Sequence, residues 1–224
     1  MQAIIFDLFE TLVTEWGRPK YTAREIAADL NVDLQPFRRE REALGTAHFL
    51  GEFPDFAQLL ETILQRLDIT RDKNLLEEIA RRREECKRKC FDVIEPKIID
   101  MLQALKDSGC KLGLISNASP EEIGAFWDSG LPAYFDAIVM SCDVGMVKPD
   151  VKIYEHCLAL LQADPANCLF IGDGGSNELD GAKAAGLTPL RAVWFTKHHN
   201  DNTDTTYPVL QETSDLWNGH IALL

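Results

Sequence analysis

The chain has 224 residues, 46% of them hydrophobic, enough for one sizeable buried core with material left for a small second domain. Its formal charge of −13 argues against a nucleic-acid backbone as partner, since that role needs clustered Lys and Arg to release counterions. No apolar segment reaches the roughly 20 residues that span a bilayer, and six cysteines without an obvious pairing framework fit a reducing compartment, so a cytoplasmic protein with no membrane partner is expected.

Residues 3 to 9 form the first strand-like run, which reads as a core strand and not as a secretory leader. Asp7 stands where Ala3-Ile4-Ile5-Phe6 gives way to a loop, the place where an open parallel sheet carries its reactive groups. No comparable strand follows from 15 to 93. There, Thr22 and Glu25 make a capping box ahead of Ile26, Ala27 and Leu30, and Phe56, Leu59, Leu60, Ile63, Leu64 and Leu67 form an amphipathic stripe. The stretch is too long for a connection, so 15–93 is expected to be a small helical cap domain over the sheet edge, with 1–14 and 94–224 forming the core. Within it, Arg81 to Arg83 and Lys87 to Lys89 read as a solvated helical face. Cys86 and Cys90 read as packing residues on the face of Leu75, Leu76 and Ile79.

Four more strand-like runs follow, at 111–116, 137–141, 168–172 and 190–195, each apolar with little alternation, as for strands covered on both faces. Helical patterns separate them: Ile98 to Lys106; a segment opened by the Ser119, Pro120, Glu122 capping box; Asp150 to Leu161; and Asn177 to Ala185, stopped by Gly186. Alternation of this kind predicts right-handed crossovers and an α/β fold, a parallel three-layer sandwich. The ends of these strands would bring Ser116, Asn117, Lys148 and Asp173 to the edge that carries Asp7.

The segments FDLFETLV (6–13), ISNAS (115–119), VKPD (147–150) and IGDGGSNELDGAKAAG (171–186), in this order and at these strand ends, resemble the four signature motifs of the haloacid dehalogenase-like hydrolase superfamily. The resemblance implies a Rossmann-like core, a helical cap inserted after the first motif, and a covalent aspartyl intermediate. Asp7 would be the nucleophile and Thr11 its orienting hydroxyl. Ser116 would bind a phosphoryl oxygen with the Asn117 amide nearby, and Lys148 would neutralise the crowded anions. Mg²⁺ would be held by Asp7, the backbone carbonyl of Phe9, Asp173 and Glu178. Glu178 stands where the family usually has Asp, and being one methylene longer it is expected to reach a metal-bound water or Lys148. Asp180 is a reserve ligand, and Gly174 and Gly175 are loop residues that let backbone approach the ligand.

One position departs from the phosphatase pattern. Phe9 occupies the place of the acid that protonates the leaving oxygen, and Glu10 replaces the usual Gly. Three alternatives follow. The first is a magnesium-dependent phosphohydrolase of a small phosphorylated metabolite, with Glu10, Glu15 or His48 supplying the acid, or with a leaving group that needs none. The second is a metal-independent 2-haloacid dehalogenase, whose halide departs unprotonated; Phe9 fits it, Arg38, Arg39 or Arg41 would bind carboxylate or halide, but Asp173 and Glu178 are then hard to explain. The third is a catalytically weak protein that binds a ligand or partner through its cap. Glu15, Trp16, Arg18, Lys20 and Tyr21 form a polar and aromatic cluster beyond the first motif that serves either specificity or a hinge. His48, Phe49 and Phe53 line a pocket or fill the cap core, and His198 and His199 read as surface loop. Oligomeric state has no signature in the chain.

Overall fold

The computed structural model describes residues 3–196 and 206–216, so the adjacent histidines 198 and 199 lie outside the described residues. Six parallel strands form one sheet: β1 (Ala3–Phe6), β2 (Lys111–Ser116), β3 (Ala137–Met140), β4 (Cys168–Gly172), β5 (Thr188–Ala192) and β6 (Val209–Leu210). Their order across the sheet is β3-β2-β1-β4-β5-β6. The chain builds outward from β1 to β2 and β3, then returns to the other side of β1 with β4. The carboxyl ends of β1 and β4 therefore flank the point where the winding reverses, where an open α/β sheet leaves a crevice. Phe6 is in register with Leu114 on one side and Ile171 on the other, and the Asp7 amide donates to the Ile171 carbonyl at 2.8 Å.

Side-chain alternation explains how one short strand anchors two layers. In β1, Ile4 and Phe6 enter one hydrophobic cluster and Ala3 and Ile5 another, all fully buried. The first cluster is closed by α6 (Pro96–Asp107) and α7 (Pro120–Asp128), through residues such as Met101, Leu102 and Phe126. The second is closed by α9 (Val151–Leu161) and α10 (Glu178–Ala184), with Tyr154, Cys157 and Ala182. Between β1 and β2 the chain makes α1 (Ala23–Asp29), α2 (Leu34–Ala43), α3 (Gly45–Phe49), α4 (Phe56–Arg66) and α5 (Lys73–Arg88), whose apolar faces form a third cluster around Phe37, Leu60 and Ile79. The Thr22 amide donates to Glu25, as the capping box predicts. Arg18 donates to the Val93 carbonyl at 3.3 Å, tying the outgoing segment of this helical insertion to the returning one.

Several boundaries differ from the sequence-based expectation. The first strand stops at Phe6, not at residue 9, because the Leu12 and Val13 amides both turn back to the Leu8 carbonyl and Glu10 takes a positive φ of 57°. The fifth runs from Thr188 to Ala192 instead of 190 to 195, since its register with β4 begins at Leu169 opposite Thr188. Pro189 is tolerated inside it because β6 pairs only with Arg191 and Ala192. β6 and the four-residue α8 (Ser141–Val144) are too short to carry a periodic signal. Cys90 lies beyond the end of α5 and packs in the sheet cluster, whereas Cys86 packs against the helical one, so the two do not share a face. Among the described residues, no helix is long and apolar enough to cross a membrane.

Gly181 on α10 shows how tightly this frame holds the loop that carries Lys148. A Cβ there would stand 2.6 Å from the Pro149 carbonyl oxygen and 2.8 Å from the Tyr154 hydroxyl. Gly181→Ala should therefore destabilise the fold by about 1–3 kcal/mol despite the better helix propensity of Ala, read as a lower urea midpoint.

Candidate active site

Five of the residues expected from sequence meet at the carboxyl edge of the sheet. Asp7 follows β1, Ser116 ends β2, Lys148 follows β3 by way of α8, and Asp173 and Glu178 follow β4. The buried Lys148 ammonium bonds both Asp7 Oδ1 and Glu178 Oε2. Thr11 donates to Asp7 Oδ2 over a long 3.3 Å, and its own carbonyl accepts from Trp194 Nε1 at 2.8 Å. Asn117 uses its side-chain amide on the Lys148 backbone, accepting from its amide at 2.8 Å and donating to its carbonyl at 3.0 Å. That side chain fixes the cation's loop. Ser116 Oγ is fully buried and has no hydrogen-bond partner, an orphan that a ligand oxygen would satisfy.

Crowding sets the electrostatics. Burial and the neighbouring Asp7 push the Glu178 carboxyl above its ordinary pKa, and the same two causes raise Asp173. Burial opposes the charge on Lys148, yet Asp7 and Glu178 outweigh it and raise that pKa also. The opposite demands of the two ends of the Lys148–Glu178 pair have one reason: a single ammonium is shared between carboxylates that repel one another. Glu178 also accepts from the Gly174 amide at 3.1 Å, and at Gly172 a Cβ would collide with its Oε1, so the glycines of this loop make room for the acid itself. Gly175 likewise donates to Asp173 at 3.0 Å.

The donor set suits a hard divalent cation. Among the described residues, Asp7, Asp173 and Glu178 offer carboxylate oxygens within 4.8 Å of one another. Three carboxylates against the Lys148 ammonium leave an excess of negative charge that Mg²⁺, which prefers oxygen ligands, would relieve. Glu178 lies against Lys148, in keeping with its extra methylene. Asp180 stands apart, exposed and bonded by the Tyr207 hydroxyl. Phe9 is half-buried, its ring edge-on to Phe91 at 6.3 Å with Lys87 over it at 5.6 Å.

Other residues support the site without having been singled out. Arg191 donates from Nε to the Asp173 carbonyl at 3.1 Å, and the Tyr154 hydroxyl donates to the Glu178 carbonyl at 2.7 Å. A guanidinium inside the apolar run of β5 was the available signal for the first. The basic run on α5 is not the solvated face its composition predicts. Arg81 faces solvent and pairs with Glu78 and Glu85, but Arg83 is buried against Glu121 (2.9 Å), and Lys87 reaches Glu122 and Glu15, each at 2.7 Å. The reason is the first turn of α7, which packs on α5 and turns two carboxylates inward to meet the cations one helical turn apart. His48 of α3 joins the same group through Glu121, at 3.0 Å.

Comparison with known proteins gives a consistent family. A family model described as haloacid dehalogenase-like hydrolase matches residues 1–186. The pyrimidine 5'-nucleotidase YjjG of Escherichia coli strain K12 is 32% identical over 117 residues, 50% of this chain and 49% of that protein. The glyceraldehyde 3-phosphate phosphatase of Methanopyrus kandleri is 24% identical across 85% of this chain and 83% of its own. Among solved structures, a 2-haloacid dehalogenase from Pseudomonas syringae pv. tomato DC3000 superposes with a TM-score of 0.64 at 21% identity, over 96% of both chains, a likeness of fold.

The buried ion group between α5 and α7 has a pH signature. Burial alone would raise Glu121, but the hydrogen bond from His48 and the charge of Arg83 overcome it and hold the carboxyl down to about 2, below its ordinary 4.5. A depressed acid contributes stability that is present above pH 4.5 and lost as pH falls through about 2. Glu121→Gln should cost on the order of 3 kcal/mol at neutral pH, and its melting temperature should converge on that of the parent chain as pH is lowered through this window.

Proposed function

Because the chain belongs to the haloacid dehalogenase-like hydrolases, we propose that it is a Mg²⁺-dependent phosphohydrolase of a small phosphorylated metabolite, working through an aspartyl-phosphate at Asp7. The observation that carries this reading is the presence of Asp173 and Glu178 beside Asp7 around one ammonium, a cluster suited to a metal-assisted phosphoryl transfer. The phosphatase and nucleotidase names of the relatives support the same class. We assign residues 15–93 the role of a cap that closes over the crevice, since α3 and α5 meet α7 and α8 beside it.

Mg²⁺, held by Asp7, Asp173 and the Phe9 carbonyl with Glu178 behind, would screen the charge of the phosphoryl group. Lys148 holds Asp7 Oδ1, so Oδ2, with its long hydrogen bond from Thr11, is the freer oxygen for attack. It forms a bond to phosphorus while the phosphorus–oxygen bond to the leaving group breaks. The vacant Ser116 hydroxyl and the Lys148 ammonium receive the phosphoryl oxygens, and water then cleaves the acyl phosphate to release phosphate and restore Asp7. Of the three acids considered for the departing oxygen, Glu15 is bound to Lys87 and His48 to Glu121. Glu10 is engaged as well, accepting from the Thr14 hydroxyl at 2.6 Å and the Glu15 amide at 2.9 Å, but burial outweighs these bonds and raises its pKa, which suits a proton donor held protonated longer than an ordinary carboxyl. A second reading, metal-independent dehalogenase chemistry, is supported by Phe9, by the segment ISNAS and by Arg38 and Arg41 on the cavity wall, and has no use for Asp173 and Glu178 beside Asp7.

Hydrolysis of p-nitrophenyl phosphate should require Mg²⁺, stop with EDTA and fall at least about 10³-fold in Asp7→Asn. Metal-independent chloride release from 2-chloropropionate would replace this reading with the second. Glu10→Gln should lower kcat roughly 10²-fold or more for alkyl phosphates, whose leaving oxygen needs a proton, and far less for p-nitrophenyl phosphate; equal losses on both would remove Glu10 from that role.

A further inference from the structure

A cavity of about 460 Å³ opens between α1, α2, α3 and α5 of the helical insertion and the start of α7. In a chain of net charge −13, its wall is locally inverted, carrying Lys20, Arg38, Arg41, Arg83 and Lys87 against two glutamates. Arg83 and Lys87 are spent on Glu121, Glu122 and Glu15, and Lys20 stacks on Trp16 at 4.7 Å. Among the described residues, Arg38 and Arg41, one turn apart on α2, make no ion pair or hydrogen bond. Arg41 is half-buried; burial first, then the charges of Arg83 and Arg38, lower its pKa against a partial offset from Glu121 and Glu122. Glu121 and Glu122 act on it only through space, and among the described residues no carboxylate pairs with it directly, a contact that an anionic ligand would supply to a half-buried cation.

A neutral donor completes the wall. The Ser119 amide donates to Glu122 at 3.0 Å and its carbonyl accepts from the Glu122 amide at 2.9 Å; the fully buried Ser119 hydroxyl oxygen faces that same amide in the capping box, and among the described residues it makes no hydrogen bond. Two residues of its wall touch the loop that carries Asp7: Lys87 lies over the Phe9 ring at 5.6 Å, and the Glu15 amide donates to the Glu10 carboxylate at 2.9 Å.

We propose that this cavity takes a second anionic group, carboxylate or phosphate, at the end of the substrate remote from the reacting phosphoryl, with Arg41 as its main donor and Arg38 and Ser119 Oγ in support. The inference rests on the phosphohydrolase reading for what occupies Asp7. A planar guanidinium binds either anion through two parallel hydrogen bonds, and the shared donor set explains why both classes fit.

The test uses three matched series with two to six methylenes: ω-phosphoryloxy carboxylates, α,ω-bisphosphates, and alkyl phosphates ending in methyl. Each is titrated with Mg²⁺ into the full chain carrying Asp7→Asn, which holds ligand without turning it over. At one tail length an acid-ended compound should bind at least about tenfold tighter than its methyl-ended match, and whichever anion gains more identifies the class. Arg41→Gln should bring that ratio toward one, Arg38→Gln should lower it less, and Arg41→Lys should restore it in part. The melting temperature of the ligand-free protein should hold or rise in Arg41→Gln, because an uncompensated buried charge is lost; a fall would mark a structural role. Equal binding of all three series at every length, or an equal loss for all in Arg41→Gln, overturns the inference. If acid-ended ligands are preferred yet the parent chain hydrolyses none of the compounds, the hydrolase reading fails and the anion pocket stands.

Discussion

One ammonium shared among carboxylates sets the terms for the rest of the molecule. Asp7 and Glu178 both bond Lys148, and Asp173 stands within reach of the same cluster. Such an arrangement is costly, because each buried carboxylate raises the energy of the next. It persists because its surroundings leave no alternative: Asn117 locks both backbone groups of Lys148, Tyr154 and the Gly174 amide hold Glu178, and the Asp7 amide is part of the ladder to β4. The strain of like charge is thus carried by the scaffold, which holds the carboxylates together against their repulsion.

The sheet makes this possible by geometry. Reversal of the winding between β1 and β4 puts two loops side by side, so the acids that follow those strands face one crevice with the Lys148 ammonium between them. Above them the helical insertion meets the core through a continuous ion group, from His48 through Glu121, Arg83, Glu122 and Lys87 to Glu15. Glu15 lies just past the loop of Asp7. The ion group that seats the insertion therefore ends on the segment that follows Asp7, where the Glu15 amide also donates to Glu10 at 2.9 Å.

Much of this was legible in the chain. Buried parallel strands read as unbroken apolar runs, so β1 to β5 were visible, and polar residues at their ends located Asp7, Ser116, Asn117, Lys148 and Asp173 without any knowledge of pairing, whereas Glu178 came from the family motif. The family motifs added the chemistry. What escaped notice depended on partners distant in sequence. Arg83 and Lys87 look like solvated charges until α7, more than thirty residues later, supplies Glu121 and Glu122. Arg191 needed the register of β5 against β4 before its side chain met the Asp173 loop. The two-residue β6 has no pattern to read, and the ends of β1 and β5 were displaced because turn hydrogen bonds and register, not hydrophobicity, decide where a strand stops.

The hydrophobic cluster of the insertion shares no residue with the two that sandwich the sheet. Substitutions among its apolar residues can therefore be compensated locally, as a separate packing problem, without shifting the strands that aim Asp7 and Asp173. Volume changes in the insertion and volume changes under the sheet are thus two separate problems of packing, each solved among its own neighbours.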